Sequence, residues 1–370
     1  MNIGILNIGI GKSPDFKVSA VIAESVRLLE LKGHDVKTIL SIAEKENIKR
    51  SVEFLKNETN ALIIVGDCAA FCASFEEEYT FPEGTQVFEA EGLIYLLDRS
   101  LSAEFIKKTA IPALNSKAKT FYTSAVFKTF GENAEQLRKI LAECIKNKNR
   151  IEVRLVELPG YECEVRVRYS NKTQKPVVDA LLVRTAELLK DCTYSIKDET
   201  LAETVMDLLK LRGQKLCLVE SFTGGGVAKA LIAVPGASAV IKEGLVTYSN
   251  EAKIKRLNVE SQIIEHYGAV SIETVYEMAA NILMSSDCDY AVATTGNAGP
   301  TAEREGGEGL FFVAIGNRKG IHIYQYQHSG TRAEIIEFGI HAAMFRLYKK
   351  MTESEFTELV KQHGDALQNT

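Results

Sequence analysis

Tryptophan is absent from the 370 residues, only seven are proline and six histidine, and no apolar run approaches the length of a membrane span. The missing tryptophan excludes nothing. The missing apolar run excludes a transmembrane helix, which needs about 18 or more such residues. The N-terminal MNIGILNIGIGKSPDF has neither the basic stretch nor the apolar core of a secretory leader, so a cytoplasmic location is expected. A basic surplus is lacking as well: 44 Lys+Arg stand against 49 Asp+Glu, a net charge of −5, which argues against nucleic acid as a main partner. Seven cysteines, at 68, 72, 144, 163, 192, 217 and 288, form an odd set without a Cys-x-x-Cys pair and read as reduced thiols, not as a disulfide framework. Cys68 and Cys72 have no histidine nearby, so neither a metal nor another cofactor is expected. What remains, 46% hydrophobic and 25% charged residues with 26 glycines, is an ordinary globular composition. At about 100–200 residues per domain the length implies two or three domains.

Periodicity divides the chain into three segments, 1–118, 119–195 and 196–370. The first alternates strand 3–8, helix 18–32, strand 35–40, helix 44–56 and strand 61–65, an order that implies parallel strands in a doubly wound α/β sheet. Residues 66–84 keep no period and hold Phe71, Phe75, Tyr79 and Phe81, so a loop or lid is expected there. The second segment, with a helix at 133–146, strands at 151–157 and 163–169, a helix at 177–189 and a strand at 193–196, reads as a small α+β module. It carries 14 basic and 10 acidic residues, a net of +4, and leaves 30 and 39, a net of −9, elsewhere. The Gly-x-x-Gly loop of an RNA-binding KH domain is missing, since Gly131-Glu132-Asn133-Ala134 has no second glycine. The third segment predicts a helix at 201–212, strands at 215–220 and 243–249, helices at 227–232 and after Ser271, strands at 290–295, 310–315 and 321–327, and a helix at 331–349. It is a second α/β domain with a mixed sheet, and the polar residues beyond Thr352 are expected to fray.

Three clusters in this last segment carry chemistry. In the first, a strand delivers Ser221 into Phe222-Thr223-Gly224-Gly225-Gly226 before a helix, where unpaired amides and the helix dipole favour an oxyanion or phosphate. The same pattern also fits a plain helix cap on a tight turn. In the second, Tyr248, Asn250 and Lys253 follow a strand. A lysine serves as base to a serine when burial lowers its pKa, although a Tyr and a Lys five apart also suit a core ring and a surface amine. The third, Thr294-Thr295-Gly296-Asn297-Ala298-Gly299-Pro300, lies at a strand end, where open α/β sheets bind ligands. All six histidines fall outside these clusters, so serine with lysine is the better pairing than a Ser-His-Asp triad. Neither the dinucleotide-binding nor the P-loop glycine pattern is matched.

Val-Glu-Ser-Phe-Thr-Gly-Gly at 219–225, Val-Pro-Gly-Ala-Ser at 234–238, Val-Thr-Tyr-Ser-Asn-Glu-Ala-Lys at 246–253, Gly-Ala-Val-Ser at 268–271 and Thr-Gly-Asn-Ala-Gly-Pro at 295–300 resemble the C-terminal domain of the CinA (competence/damage-inducible protein A) family. The resemblance implies hydrolysis of the carboxamide of nicotinamide mononucleotide (NMN) to nicotinic acid mononucleotide and ammonia. It implies Ser221 as nucleophile, Tyr248 and Lys253 as its activating partners and Thr295 at the site, with Thr223, Gly224, Gly225, Asn250, Gly296 and Arg332 as further substrate contacts. Amides near Thr223–Gly225 are the expected oxyanion donors. Arg332 matches the first arginine of a Gly-Asp-Arg-x-x-x-Arg stretch, whose second position here is Ile336.

The family likeness also implies a molybdopterin-binding-like domain at 1–118, a KH-like module at 119–195 and a homodimer. The first domain departs from its pattern: Gly9-Ile10-Gly11-Lys12 stands where Gly-Thr-Glu-Leu-Leu is usual, and Val65-Gly66-Asp67-Cys68-Ala69 replaces a glycine-rich stretch with paired acids. Lacking ligands for phosphate or a divalent cation, that domain is expected to be inactive. The alternative to an enzyme is a catalytically silent nucleotide-binding or scaffold protein of the same family.

Overall fold

The structure is a computed structural model that describes residues 1–9, 16–82, 84–118, 120, 122–145, 151–300 and 307–368. The chain falls into two compact units, one of residues 1–125, 143–154 and 166–184 and one of residues 126–142, 155–165 and 185–370. Of the variant stretch at 9–12, residues 10–12 lie outside the described residues.

The first unit begins β1 (Asn2–Ile8), α1 (Phe16–Leu31), β2 (Asp35–Ile42), α2 (Ile48–Lys56), β3 (Ala61–Gly66), α3 (Cys68–Ser74), β4 (Val87–Ala90) and β5 (Leu93–Asp98), followed by α4 (Ala103–Phe105) and α5 (Ile111–Lys117). Its sheet has the order β2-β1-β3-β5-β4, parallel except for the β4–β5 hairpin. Strand alternation sorts the core into two layers: Ile3, Ile5, Ala61, Ile63, Ile94 and Leu96 share one cluster, and Leu6, Ile8, Leu62, Ile64, Tyr95 and Leu97 the other. The expected loop at 66–84 contains a helix instead, α3. Asp67 caps it by accepting a hydrogen bond from the Ala70 amide at 2.9 Å, and Phe71 and Phe75 bury their rings in the second layer. Periodicity was invisible there because seven residues make only two turns. The hairpin was also unforeseen: Glu91 and Gly92 both take positive φ, 51° and 81°, the conformation that two-residue hairpin loops demand.

The middle of the chain gives β6 (Tyr122–Phe130), α6 (Ala134–Ile140), α7 (Ala142–Ile145), β7 (Ile151–Leu158), β8 (Glu162–Ser170), α8 (Lys175–Leu189) and β9 (Thr193–Ser195), with the strands ordered β7-β8-β6-β9. The expected helix at 133–146 is two short ones. Leu141 ends the first with φ −91° and ψ 4°, and Lys146 lies outside the described residues. An Asn133–Gln136 capping box starts α6.

The rest is α9 (Leu201–Leu211), β10 (Leu216–Glu220), α10 (Gly226–Ile232), β11 (Ile241–Val246), α11 (Asn250–Leu257), α12 (Ser261–Tyr267), α13 (Ile272–Ser285), β12 (Tyr290–Gly296), β13 (Leu310–Asn317), β14 (Gly320–Gln327) and α14 (Arg332–Gln368). The sheet is mixed, in the order β11-β10-β12-β13-β14, with β10 parallel to β11 and β12 and the last three antiparallel. Ser271 caps α13 as expected, accepting from the Thr274 amide at 3.1 Å. The final helix continues past Thr352 to Gln368, where fraying was expected. Among the described residues no helix is long and apolar enough to cross a membrane.

Candidate active site

Strand β10 lies between β11 and β12 and runs parallel to both, Leu216 sitting opposite Ile241 on one side and Tyr290 on the other. The connections that follow it leave to opposite sides, so the carboxyl ends of the three strands border a crevice, the place where open α/β sheets bind ligands. The ladder continues one step past the strand: the Ser221 amide donates to the Thr294 carbonyl at 3.0 Å and the Thr247 amide to the Glu220 carbonyl at 2.9 Å. Ser221 is therefore held at its backbone while its side chain enters the crevice.

The turn after it closes through two left-handed residues, Gly224 (φ 61°) and Gly225 (φ 94°), a conformation side chains resist. Its glycine amides are not vacant as the sequence suggested. The Gly224 amide donates to the Ser221 carbonyl at 3.1 Å and the Gly226 amide to the Thr223 carbonyl at 2.9 Å. Glu220, 1% exposed, takes most of the rest: one carboxylate oxygen accepts from the Gly225 and Val227 amides, both at 3.0 Å, and the other from Ala228 at 2.8 Å. A protein carboxylate thus occupies the positive end of α10, where a ligand oxyanion was expected. The Thr223 hydroxyl is shared with that of Thr294 at 2.7 Å. The amides of Phe222 and Thr223 make no hydrogen bond among the described residues.

Lys253 comes from α11, which Ser249 starts by accepting from the Ala252 amide at 3.1 Å. The lysine is 1% exposed, and its Nζ donates to Ser221 Oγ at 3.0 Å, to the Thr247 carbonyl at 3.0 Å and to the Tyr248 carbonyl at 3.2 Å. Burial lowers its pKa from 10.5 to about 8. The surface-amine alternative is excluded. Tyr248 meets the lysine through its backbone carbonyl; its phenol, on a residue 60% exposed, accepts from Arg332 Nη2 at 2.9 Å, and Arg332 Nη1 donates to the Gly299 carbonyl at 2.8 Å. The phenol of Tyr248, implied as an activating partner of Ser221, is thus paired with Arg332 and not with the Lys253 amine.

A cavity of about 280 Å³ gathers Ser221, Tyr248, Asn250, Lys253, Thr295, Gly296 and Arg332. Thr223, Gly224 and Gly225 are not in its lining; they act behind it, in the turn. Tyr267, Gly268, Ala269, Val270, Asn297 and Phe222 line it too, beyond the site residues the resemblance implies. The 268–270 stretch, part of the Gly-Ala-Val-Ser motif, joins through its backbone, Thr295 Oγ1 donating to the Ala269 carbonyl at 2.7 Å. Among the described residues no group of three or more His, Cys, Asp and Glu side chains is arranged to hold a metal ion. Burial pushes the Cys68 thiol up to about 11, which keeps it protonated.

Comparison with known proteins gives these features a lineage. Residues 198–351 match the CinA C-terminal domain. A competence-damage inducible protein of Caldicellulosiruptor saccharolyticus is 33% identical over 243 residues, 65% of this chain and 59% of that protein. One from Caldicellulosiruptor bescii is 30% identical over 291 residues, 74% of this chain and 71% of the relative. The match thus spans 59% and 71% of these relatives' own lengths. Among solved structures, a competence-damaged protein (CinA) superfamily protein from Klebsiella pneumoniae is 32% identical with a TM-score of 0.40, covering 41% of this chain and 96% of its own. With the matched domain spanning the whole Ser221–Lys253 crevice and the second relative aligned over most of its length, the chain belongs to the CinA family.

Proposed function

We propose that the second unit hydrolyses the carboxamide of a pyridine nucleotide, NMN, to the acid and ammonia. The observation that carries this reading is the buried Lys253 amine on the Ser221 hydroxyl at 3.0 Å, in a cavity of about 280 Å³. A protonated lysine has three donors, and here they meet two carbonyls and the serine. Loss of one proton, accessible with a pKa of about 8, leaves two donors for the carbonyls and a lone pair for the serine hydroxyl. Ser221 is then activated without histidine.

Ser221 Oγ attacks the amide carbon as its proton passes to Lys253 Nζ. The carbonyl oxygen becomes an oxyanion, for which the cavity-lining Phe222 offers an amide without an internal partner. Lys253 returns the proton to the leaving nitrogen, the C–N bond breaks and ammonia departs. Water attacks the acyl-serine while Lys253 takes its proton, and collapse restores the serine and releases the carboxylate. Arg332, held by Tyr248 and Gly299 through two of its five N–H groups, has donors left for the substrate phosphate. In this reading residues 196–370 do the chemistry and residues 1–118 none.

Ammonia release from NMN by the purified chain tests it. Ser221→Ala and Lys253→Met each lower the rate by on the order of a thousandfold or more. Equal release by wild type and Ser221→Ala overturns the reading and favours a silent nucleotide-binding protein.

A further inference from the structure

Glu220 has no place in the proton transfers, yet its carboxylate is almost completely buried one residue before the nucleophile. Burying a carboxylate is costly unless hydrogen bonds compensate it. Here three backbone amides do, Gly225 and Val227 on one oxygen and Ala228 on the other, at 2.8–3.0 Å. All three belong to the turn that carries Ser221 or to the first turn of α10. The carboxylate therefore ties the end of β10 to the start of α10 across the serine, a brace spanning eight residues. The two left-handed glycines supply no side chain to stiffen this turn themselves.

We propose that Glu220 is a positioning residue for Ser221: by holding the Gly225, Val227 and Ala228 amides it fixes the turn in which Ser221 Oγ meets Lys253 Nζ, and it keeps α10 from binding a substrate anion. The proposal rests on Ser221 being the nucleophile, as in the amide-hydrolysis reading. Its consequence is specific. Loss of the brace misplaces the serine, not the substrate, so kcat falls and KM does not; displacement of about 1 Å is enough for a loss of about a hundredfold.

The test compares wild type with Glu220→Gln and Glu220→Ala in the full chain, reading kcat and KM for ammonia release from NMN and, independently of any substrate, the rate at which a fluorophosphonate labels Ser221. Glu220→Gln keeps the shape and loses the charge; Glu220→Ala opens a carboxylate-sized gap next to three free amides. The expected result is a fall of about a hundredfold in kcat and in labelling for Glu220→Ala, KM within about threefold of wild type, a smaller fall for Glu220→Gln, and partial recovery of Glu220→Ala by added formate but not chloride. A general loss of folding is not repaired by formate, which separates positioning from mere stability. Wild-type labelling rates in both variants, a Ser221 that the probe never labels, or losses that formate leaves untouched overturn the proposal. Absence of ammonia from NMN with Ser221 still labelled counts against the substrate reading alone, and the labelling rates then decide the role of Glu220.

Discussion

The two large sheets are wound alike and filled differently at their strand ends. In each, the first strand lies between the second and third and is parallel to both: β1 between β2 and β3, β10 between β11 and β12. In the first unit the chain leaving β3 turns at Gly66, where a Cβ would stand 2.3 Å from the Ile8 carbonyl oxygen, and Asp67 is engaged as a helix cap. Aromatic rings then fill one face, Phe88 stacked on Tyr95 at 4.6 Å, Phe81 edge-on to Phe88 at 5.0 Å and Phe71 beside Phe75 at 5.0 Å. In the second unit the strand ends border a cavity that holds a buried amine and a hydroxyl. A winding that offers a crevice is a necessary condition for a site, and the side chains that fill or line it decide whether one exists.

The sharpest way to break this contrast is to damage the first unit's packing and look for an effect on chemistry. Phe71→Ala removes a ring that is 1% exposed and costs about 3–5 kcal/mol in urea unfolding of the first unit, while ammonia release per folded molecule stays unchanged. A matching loss of rate would mean that the first unit takes part in the reaction.

Titration separates the units next, by about 3 kcal/mol each at 1.36 kcal/mol per pKa unit. Lys253 loses its proton near pH 8 when folded and at 10.5 when unfolded, so unfolding takes up a proton between these values. Stability of the second unit therefore rises with pH across that window, and turnover rises as pH passes about 8. In the first unit burial lowers the pKa of His34 from 6.5 to about 4, its ring paired with Asn115 Oδ1 at 3.0 Å. The unfolded histidine is protonated below 6.5 and the folded one is not, so that unit loses stability as pH falls from 6.5 towards 4. Urea midpoints against pH, with Lys253→Met and His34→Gln each abolishing its own window, check both. The smallest effect expected is from Asp67→Ala, about 1 kcal/mol of lost cap in the first unit and no change in turnover.

Much of the fold was legible because its signals are local. The β-α-β-α-β order of residues 1–66, the Ser271 cap and the strand at 290–296 follow from spacing within a few residues. The hairpin at Glu91-Gly92 and the helix α3 escaped notice because one rests on an unusual left-handed glutamate and the other is too short for a period. At the site, Ser221, Tyr248, Asn250, Lys253, Thr295, Gly296 and Arg332 do share one cavity. The roles were harder to read: Glu220 passed as the last residue of a strand, and the glycine amides as an anion cradle.

By itself the sequence determined which segments alternate as α/β units, where helices begin and which hydroxyl and amine stand beside strand ends, since hydrophobic period, caps and turn residues act over short range. Only the tertiary structure decided that Lys253 is buried against Ser221, 32 positions away, with its pKa lowered to about 8. It also decided that Tyr248 turns to Arg332, 84 positions away, and that Glu220 takes the amides of its own turn. Desolvation and hydrogen-bond competition depend on every group that packs around an atom, and those groups are assembled only when the strands pair.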